Sequence, residues 1–388
     1  MTSRSFVRAT LLWLAGVDLR LTLLALPPII PLIHRDLRLD ESAIAALSNL
    51  PVLVLALSSV FGALFTAKLG ARGALVLGLF AIAIPAALRG AGTSTPVLFA
   101  MTLLMGVGIA ISQPTFPSLA RAWFPDRVSL ATGIWANGLL CGEALSASLT
   151  IPFMLPLAGG SWQTSLVLWS IPVLLTAIAL ALFGGPGDVR PAVGARWFPD
   201  FRDRRVLQIG TYQSAASLAY FGANTFLPDY LHATGQPYLI APALAALNIG
   251  QIPASFAVGL IPMAVLGRRS TSFAVAGVFV AALVAFLTLG GGAVIVASAV
   301  VGLFAAYVLT MSFAVPALVG AHDDVPRISA GSFTLGYAIS FATTLLSGAA
   351  WDATHVAATA FVPMFAAAVI VIVLGPRLGI AARRYAAA

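Results

Sequence analysis

The sequence has little charge and almost no cysteine. Charged residues make up 9% of its 388 residues, whereas soluble globular domains carry about 25%, so a soluble fold is excluded. The one cysteine, Cys141, has no second cysteine to pair with inside the chain. Metal-binding HExxH, clustered Cys and His, and a nucleotide-binding glycine loop are also missing. We therefore expect no cofactor, no metal and no enzyme, and a membrane-embedded enzyme is only a distant alternative.

Hydrophobic residues are abundant, at 60% of the chain with a mean hydropathy of +0.99. Apolar windows of 18 or more residues recur along the sequence, and each is a candidate transmembrane helix. The pattern predicts an all-α membrane protein with twelve spans, at residues 7–33, 42–67, 72–91, 95–122, 129–157, 163–184, 206–231, 238–266, 271–290, 293–319, 328–351 and 356–375. We interpret the first as a retained helix, because its apolar run is too long for a typical signal peptide.

Basic residues are distributed very unevenly among the loops. The net charge is +8, yet no basic patch with interleaved aromatic residues suggests nucleic-acid binding. With both termini inside, 17 of the 21 basic residues fall in cytoplasmic segments and only Arg35 and Arg38 in outer loops. The positive-inside rule therefore predicts a multi-pass protein of a bacterial inner membrane with cytoplasmic N- and C-termini. Its one expected macromolecular environment is the lipid bilayer, and we expect a monomer.

The chain repeats itself at an offset near 200 residues. The segment "PSLARAWFPDRVSLATG", from Pro117, aligns with "PALVGAHDDVPRISAGS", from Pro316. A Gly-, Pro- and charge-rich stretch at 185–205 separates the copies. We predict an N-terminal six-helix bundle at 1–184, a cytoplasmic linker at 185–205 and a C-terminal six-helix bundle at 206–388. Two parallel six-helix halves with pseudo-twofold symmetry resemble the major facilitator superfamily (MFS) fold.

Two segments narrow this resemblance. "DLRLTLLALPPIIPLI", from Asp18, and "GVGIAISQPTFPSLARAWFPDRVSLATGIW", from Gly106, are similar to the cyanate/2-nitroimidazole porter (CynX/NimT) family. The first departs from the family pattern at Asp18 and at Leu21, where a proline is usual. The glycine-rich signature of nitrate porters is missing, which argues against that group. The resemblance implies a secondary transporter of a small solute.

Among the charged residues within the predicted spans, Asp18, Arg20, Arg89 and Glu143 have predicted roles. Arg20 lies deep in span one, where a guanidinium costs at least about 2.5–3.5 kcal/mol to insert. Its fork of donors suits a small anion or a nitro group, and the alternatives are an interhelical ion pair with a residue such as Glu143 or a side chain that snorkels to the surface. Asp18 cannot face Arg20, since residues i and i+2 diverge on a helix. Glu143, in span five, is either a static pair or a proton carrier, and Asp18 is a second proton-coupling candidate.

Two further arginines have predicted roles. Arg89 is near the outer end of span three, where the family resemblance implies a second anion contact and the alternative is a side chain that snorkels to the surface. Arg72, in the loop "LGARG", is expected to dock on a cytoplasmic helix end and contribute to gating, although the acidic residue usual in that MFS loop is missing.

Neutral polar residues complete the predicted substrate site. They lie in spans four, five, seven, eight and eleven, and they are Gln113, Trp135, Asn137, Tyr220, Asn224, Asn248, Gln251 and Tyr337. Asn248 and Gln251 share a helix face at i,i+3 spacing. Prolines in spans one, four and eight are expected to interrupt the helices.

These observations predict a carrier for a small anionic or nitro-bearing solute, such as a cyanate-like anion or a nitroimidazole-like compound. Substrate would bind at the midplane and cross by alternating access, with proton symport as an option. The first alternative is a drug or metabolite exporter of the same fold, which would depend little on Arg20.

Overall fold

The structure, a computed structural model, describes residues 3–39, 41–185, 197–320 and 324–386. The described residues are almost entirely helical and contain no β-strand. Ten of their helices are long and apolar enough to cross a membrane. One of the ten carries two of the predicted spans, and the 30-residue helix of span seven is also long enough although more polar. The twelve predicted spans are therefore all present as helices.

Spans one to six occupy the first half of the chain. Their helices are α1 (Ser3–Leu24), α2 (Ile30–Leu37), α3 (Glu41–Leu88), α4 (Thr95–Ser112), α5 (Phe116–Trp123), α6 (Val128–Leu149), α7 (Leu155–Leu157) and α8 (Trp162–Phe183). α3 joins spans two and three across Gly70, which has φ 75° and ψ 165°. Glycine tolerates this left-handed conformation because it has no Cβ, so the chain turns there without a long loop.

Spans seven to twelve occupy the second half. Their helices are α9 (Arg204–Ala233), α10 (Ile240–Ile249), α11 (Ile252–Leu260), α12 (Met263–Leu266), α13 (Arg269–Thr288), α14 (Gly292–Val319), α15 (Val325–Thr354) and α16 (Phe365–Ala386). A 3₁₀ segment, Ala357–Met364, leads into α16, which runs beyond the limit predicted for span twelve.

The predicted proline interruptions are present. In span one, a 3₁₀ turn at Pro27–Ile29 separates α1 from α2, which extends the span to Leu37 rather than residue 33. In span four, a 3₁₀ turn at Gln113–Thr115 separates α4 from α5. In span eight, Pro262 lies between α11 and α12. Proline has no backbone N–H to donate, so each span loses a rung of its hydrogen-bond ladder at these points.

The chain divides into two compact units. The first comprises Met1–Pro199 with Ala321–Thr334, and the second comprises Asp200–Gly320 with Leu335–Ala388. The predicted domain limits at 184 and 206 remain predictions. Residues 186–196 of the predicted linker lie outside the described part of the chain.

Candidate functional site

In the first unit, α1 and α6 pack backbone against backbone through three glycines. A Cβ at Gly138 would collide with the carbonyl of Trp13, and one at Gly142 with the carbonyl of Val17. A Cβ at Gly16 would collide in the same way with the carbonyl of Trp135. Small residues allow helices in a membrane to approach this closely. The polar side chains that follow on α1 and α6 are therefore held at short range by a rigid contact.

Arg20 and Glu143 form an ion pair across this contact. Arg20 Nε lies 3.2 Å from Glu143 Oε1, and the two side chains are only 4% and 5% exposed. This ion pair is one of the alternatives that the sequence left open for Arg20. The pair balances the charge of both groups at a depth where either alone would be costly. Direct contact between Arg20 and a substrate remains a prediction.

Asp18 lies one helical turn from Thr22 on α1 and is also buried. The side chain of Thr176 on α8 lies close to this carboxylate, while the Thr176 hydroxyl donates to the carbonyl of Pro172 at 3.1 Å. Within the described residues, Asp18 Oδ2 has no hydrogen-bond partner. Asp18 therefore retains an acceptor that its surroundings leave unused.

Arg89 follows the end of α3 and points inward rather than to the surface. It is only 2% exposed, so it does not snorkel as the alternative interpretation would require. Its Nη2 donates to the backbone carbonyl of Thr22 at 2.7 Å. Its Nε and Nη1 find no hydrogen-bond partner among the residues that the structure describes. Buried side-chain donors normally have at least one hydrogen-bond partner each, so these two nitrogens of Arg89 are exceptions among the described residues. Contact between Arg89 and a substrate remains a prediction.

The first unit also contains three of the neutral residues predicted for the substrate site, namely Asn137, Trp135 and Gln113. Asn137 Oδ1 accepts a hydrogen bond from Trp13 Nε1 at 2.9 Å, which ties α6 to α1. Trp135 is fully buried and stacks on Phe116 with 4.7 Å between ring centroids. Gln113 is fully buried in the 3₁₀ turn of span four. Asn137 and Trp135 thus have visible packing roles, and their contact with a substrate remains a prediction.

Three residues that contact the predicted site residues were not predicted from the sequence: Trp13, Thr22 and Thr176. Trp13 was the one with a readable signal, because an indole N–H within an apolar span needs an acceptor. Thr22 takes part through its backbone carbonyl, which no side-chain pattern reveals. Thr176 is one of many hydroxyls in apolar helices, and only the fold brings it to Asp18.

The second unit holds a smaller, neutral cluster. Tyr220 on α9 donates to Asn248 Oδ1 on α10 at 3.0 Å. Gln251 Nε2 lies 3.5 Å from the same oxygen, at the break between α10 and α11. The predicted shared face of Asn248 and Gln251 is therefore present, and Tyr220 joins it from a neighbouring helix.

The other two candidates of the second unit lie apart from this hydrogen-bonded cluster. Asn224 donates to the backbone carbonyl of Tyr220 within its own helix at 3.0 Å. Tyr337 is 1% exposed, and its ring lies 6.5 Å from that of Phe221. The part of Asn224 and Tyr337 in substrate binding remains a prediction.

Arg72 docks on a helix end, as its loop suggested. Its guanidinium donates to the carbonyls of Leu180 at 3.3 Å and Gly185 at 3.1 Å, and also to that of Ala181. Leu180 and Ala181 lie in the last turn of α8 and Gly185 follows it, at the end of a helix where carbonyls are short of N–H partners and the dipole favours a cation. The contact stabilises the α3–α8 corner, while a role in gating is not tested by it.

The fold and the buried ionisable residues define a multi-pass helical membrane transporter. The sequence profile of the Major Facilitator Superfamily matches residues 12–343. The chain therefore belongs to the Major Facilitator Superfamily, and it is a transporter rather than an enzyme.

Relatives of known sequence agree with this family. An uncharacterized transporter of Bacillus subtilis, YycB, is 22% identical over 97% of this chain and 94% of its own length. The cyanate transport protein CynX of Escherichia coli is 28% identical over 43% of each chain. The 2-nitroimidazole transporter of Escherichia coli is 27% identical over 50% of this chain and 45% of its own. The last two matches thus span less than half of each relative.

A probable nitrate transporter of Staphylococcus carnosus, NarT, is also similar. It is 25% identical over 53% of this chain and 52% of its own length. The chain lacks the glycine-rich signature of nitrate porters, but it is nevertheless similar to a protein named as a probable nitrate transporter.

Solved structures show the same fold. The MFS transporter FucP in its outward conformation has a TM-score of 0.77 at 13% identity, covering 97% of this chain and 99% of that one. The proton:xylose symporter XylE has a TM-score of 0.75 at 12% identity, covering 96% and 95%.

Proposed function

We propose that this protein carries a small anion, or a small nitro-bearing solute, across the bacterial inner membrane by alternating access. Similar proteins named for cyanate, 2-nitroimidazole and nitrate support this solute class. All three solutes present few atoms and strong acceptors, which suits a site with guanidinium donors. We further propose that the protein acts as a monomer with both termini in the cytoplasm, as the distribution of Lys and Arg suggests.

The observation that carries the proposal is Arg89. Two of its guanidinium nitrogens are buried and lack hydrogen-bond partners among the described residues. Water or a guest must satisfy such donors, because leaving them unsatisfied costs about 1–3 kcal/mol or more each. An anion that accepts from Nε or from Nη1 would supply one hydrogen bond and the missing negative charge, and a second acceptor such as water would satisfy the other nitrogen.

The ion pair suggests how a proton would enter the cycle. Because Arg20 and Glu143 neutralise each other, an anion gains little by approaching the pair. A proton on Glu143 removes its charge and leaves the positive charge of Arg20 for the anion. One proton and one anion would then move together without net charge, and Asp18 is the second candidate for the proton. By docking on the end of α8, Arg72 would stabilise one of the two conformations between which the transporter alternates.

A drug or metabolite exporter of the same fold remains the second candidate function. The neutral cluster of Tyr220, Asn248 and Gln251 suits an uncharged solute, and it is the observation in its favour. That candidate predicts little effect when either buried arginine is replaced.

The test is uptake of isotope-labelled nitrate and cyanate, and of 2-nitroimidazole, into proteoliposomes. We expect Arg89→Gln to weaken the apparent affinity roughly 10- to 100-fold, because a hydrogen bond to a charged group contributes about 1.5–3 kcal/mol. Arg89→Lys should retain part of the affinity, since it keeps the charge but not the fork.

Arg35→Gln is the matched control, because the Arg35 side chain is 74% exposed. It should leave the affinity within twofold of the wild-type value. An Arg89→Gln protein that is folded and binds the solute as tightly as the wild type would overturn the proposal. Failure of the wild type to transport any of the three solutes would overturn the proposed solute class.

A further inference from the structure

The second unit carries an apolar groove on its surface that takes no part in the proposed site. Its cavity has a volume of about 290 Å³, close to the lower end of the roughly 300–1,000 Å³ typical of ligand pockets. It lies between α11, α13 and α14. The lining is made of Ala254, Ala257, Ala274, Val275, Val278, Phe279, Val300, Leu303, Phe304 and Tyr307.

The groove offers hydrocarbon contacts and no polar group with a free hydrogen-bonding site among its described lining residues. Its floor contains the stacked rings of Phe279 and Phe304, with centroids 3.8 Å apart. Its rims, Val278 and Leu303, are 55% and 40% exposed, so the groove opens outward. The one lining hydroxyl, that of Tyr307, already donates to the carbonyl of Leu266 at 3.0 Å. A polar solute would lose its hydration here without compensation, whereas an alkyl chain would fit.

A positive charge stands at one end of the groove. Arg268 is exposed and caps the N-terminus of α13, seven residues before Val275 in the lining. Arg268 is the N-cap residue, with extended backbone and no side-chain hydrogen bond to the helix. At seven residues before Val275 its Cα falls on the groove side of α13. The separation along the axis is about 10 Å at roughly 1.5 Å per residue. The polar region of a bilayer leaflet is about 5–8 Å thick. A phosphate in that region above an acyl chain at Val275 would lie a few ångströms from Arg268, which is within reach of a long arginine side chain.

The neighbouring Arg269 provides a natural contrast. It is exposed as well, but its guanidinium lies 5.6 Å from the ring of Phe273, which is not part of the lining. Its register on α13 puts it on the side away from Val275 and Val278. The two arginines therefore carry the same charge at the same depth but face different directions.

We propose that this groove is a binding site for one anionic phospholipid, whose acyl chain lies in the groove and whose phosphate contacts Arg268. Charge complementarity selects the headgroup, since a zwitterionic lipid offers no net negative charge to the arginine. The hydrocarbon lining selects the chain. This site does not depend on the transported solute.

Native mass spectrometry of the purified full chain tests the headgroup contact. The protein is equilibrated with equal amounts of phosphatidylglycerol and phosphatidylcholine of the same acyl composition, and the bound ratio is measured. The wild type should retain phosphatidylglycerol in preference to phosphatidylcholine. Arg268→Gln should lower that ratio about fivefold, which corresponds to one basic residue near a membrane surface. Arg269→Gln should lower it less than twofold, and an equal loss in both variants would overturn the proposal.

A second pair of variants tests the groove itself. Ala274→Phe fills it and should abolish retention of the bound lipid. Val284→Phe adds the same ring on α13 at a position that is 46% exposed and outside the lining, so it should retain the lipid. Lipid retention that survives Ala274→Phe in a folded protein would overturn the proposal, and so would a wild type found as a lipid-free dimer or without headgroup preference.

Discussion

The two compact units bury different chemistry. The buried charged side chains of the described residues, Asp18, Arg20, Arg89 and Glu143, all belong to the first unit. The polar side chains that the second unit buries are hydroxyls and amides, among them Gln213 and Gln251. The first unit therefore bears the cost of charge inside the membrane, and the second unit offers only neutral hydrogen-bonding groups.

The same packing device supports both kinds of polar cluster. In the first unit, Gly138 and Gly142 on α6 fit against backbone of α1. In the second, Gly302 on α14 fits against the carbonyl of Leu247, and Gly250 fits against that of Ala299. In each unit a polar residue stands next to the contact, Glu143 beside Gly142 and Asn248 beside Leu247. Close backbone packing thus fixes polar groups irrespective of their charge.

The difference between the two units indicates which of them would select a solute by its charge. Long-range attraction for an anion requires net positive potential, which only arginine, lysine or a proton supplies in this core. The neutral cluster of the second unit can orient a solute but cannot attract it by charge. We therefore expect substitutions in the first unit to have larger effects than equivalent substitutions in the second.

The largest effect is expected at the ion pair. Arg20→Ala leaves Glu143 buried without its partner, which typically costs about 3–5 kcal/mol. We expect the variant to melt at a markedly lower temperature in detergent, or to fail to accumulate in the membrane. Thermal unfolding followed by intrinsic fluorescence measures the difference.

A double variant separates charge from packing. Arg20→Met with Glu143→Met replaces both ionic groups by apolar side chains and should recover most of the stability, because a buried pair is often replaceable by hydrophobic residues. It should nevertheless fail to transport. If the double variant is as unstable as Arg20→Ala alone, the pair is not what stabilises the α1–α6 contact.

The sequence was sufficient to predict the fold for a physical reason. In a bilayer every backbone group must be satisfied within its own helix, so apolar length alone indicated the twelve helices. Proline chemistry indicated the breaks at Pro27 and Pro262 as well. The junction inside α3 was predicted too, because the limits 42–67 and 72–91 leave residues 68–71 between spans two and three, and the non-helical residue Gly70 lies there.

The site was predicted only in part. Depth within an apolar run singled out Arg20 and Glu143, and their ion pair was one of the alternatives that the sequence left open. The contacts of Arg89 and Asp18 were not predictable, because they involve a backbone carbonyl at Thr22 and the side chain of Thr176 on other helices. Pairing across helices depends on rotation of each helix about its axis, and hydropathy does not encode that angle.

An intermediate effect is expected when Glu143 is made permanently neutral. Glu143→Gln keeps the shape of the side chain but carries neither a charge nor a transferable proton. Anion uptake should continue, because Arg20 is then free to attract the solute, but it should no longer respond to an imposed pH gradient. Uptake into proteoliposomes with and without an inward proton gradient measures this coupling.

Asp18→Asn serves as the comparison for that experiment. If it abolishes the response to the gradient while Glu143→Gln does not, the proton is carried by Asp18 and the pair is static. Loss of the response in neither variant would contradict proton coupling through the first unit, without affecting the argument for the anion contact at Arg89.

The smallest effect is expected in the neutral cluster of the second unit. Tyr220→Phe removes the hydroxyl that donates to Asn248 at 3.0 Å, and the net value of such a hydrogen bond is about 0.5–1.5 kcal/mol. We expect at most a roughly tenfold change in apparent affinity for an anion. Phe221→Leu, at the adjacent aromatic residue, controls for lost ring packing. A Tyr220→Phe defect as large as that of Arg89→Gln would contradict the division of roles, because it would mean that a neutral hydroxyl contributes as much to anion binding as a buried guanidinium does.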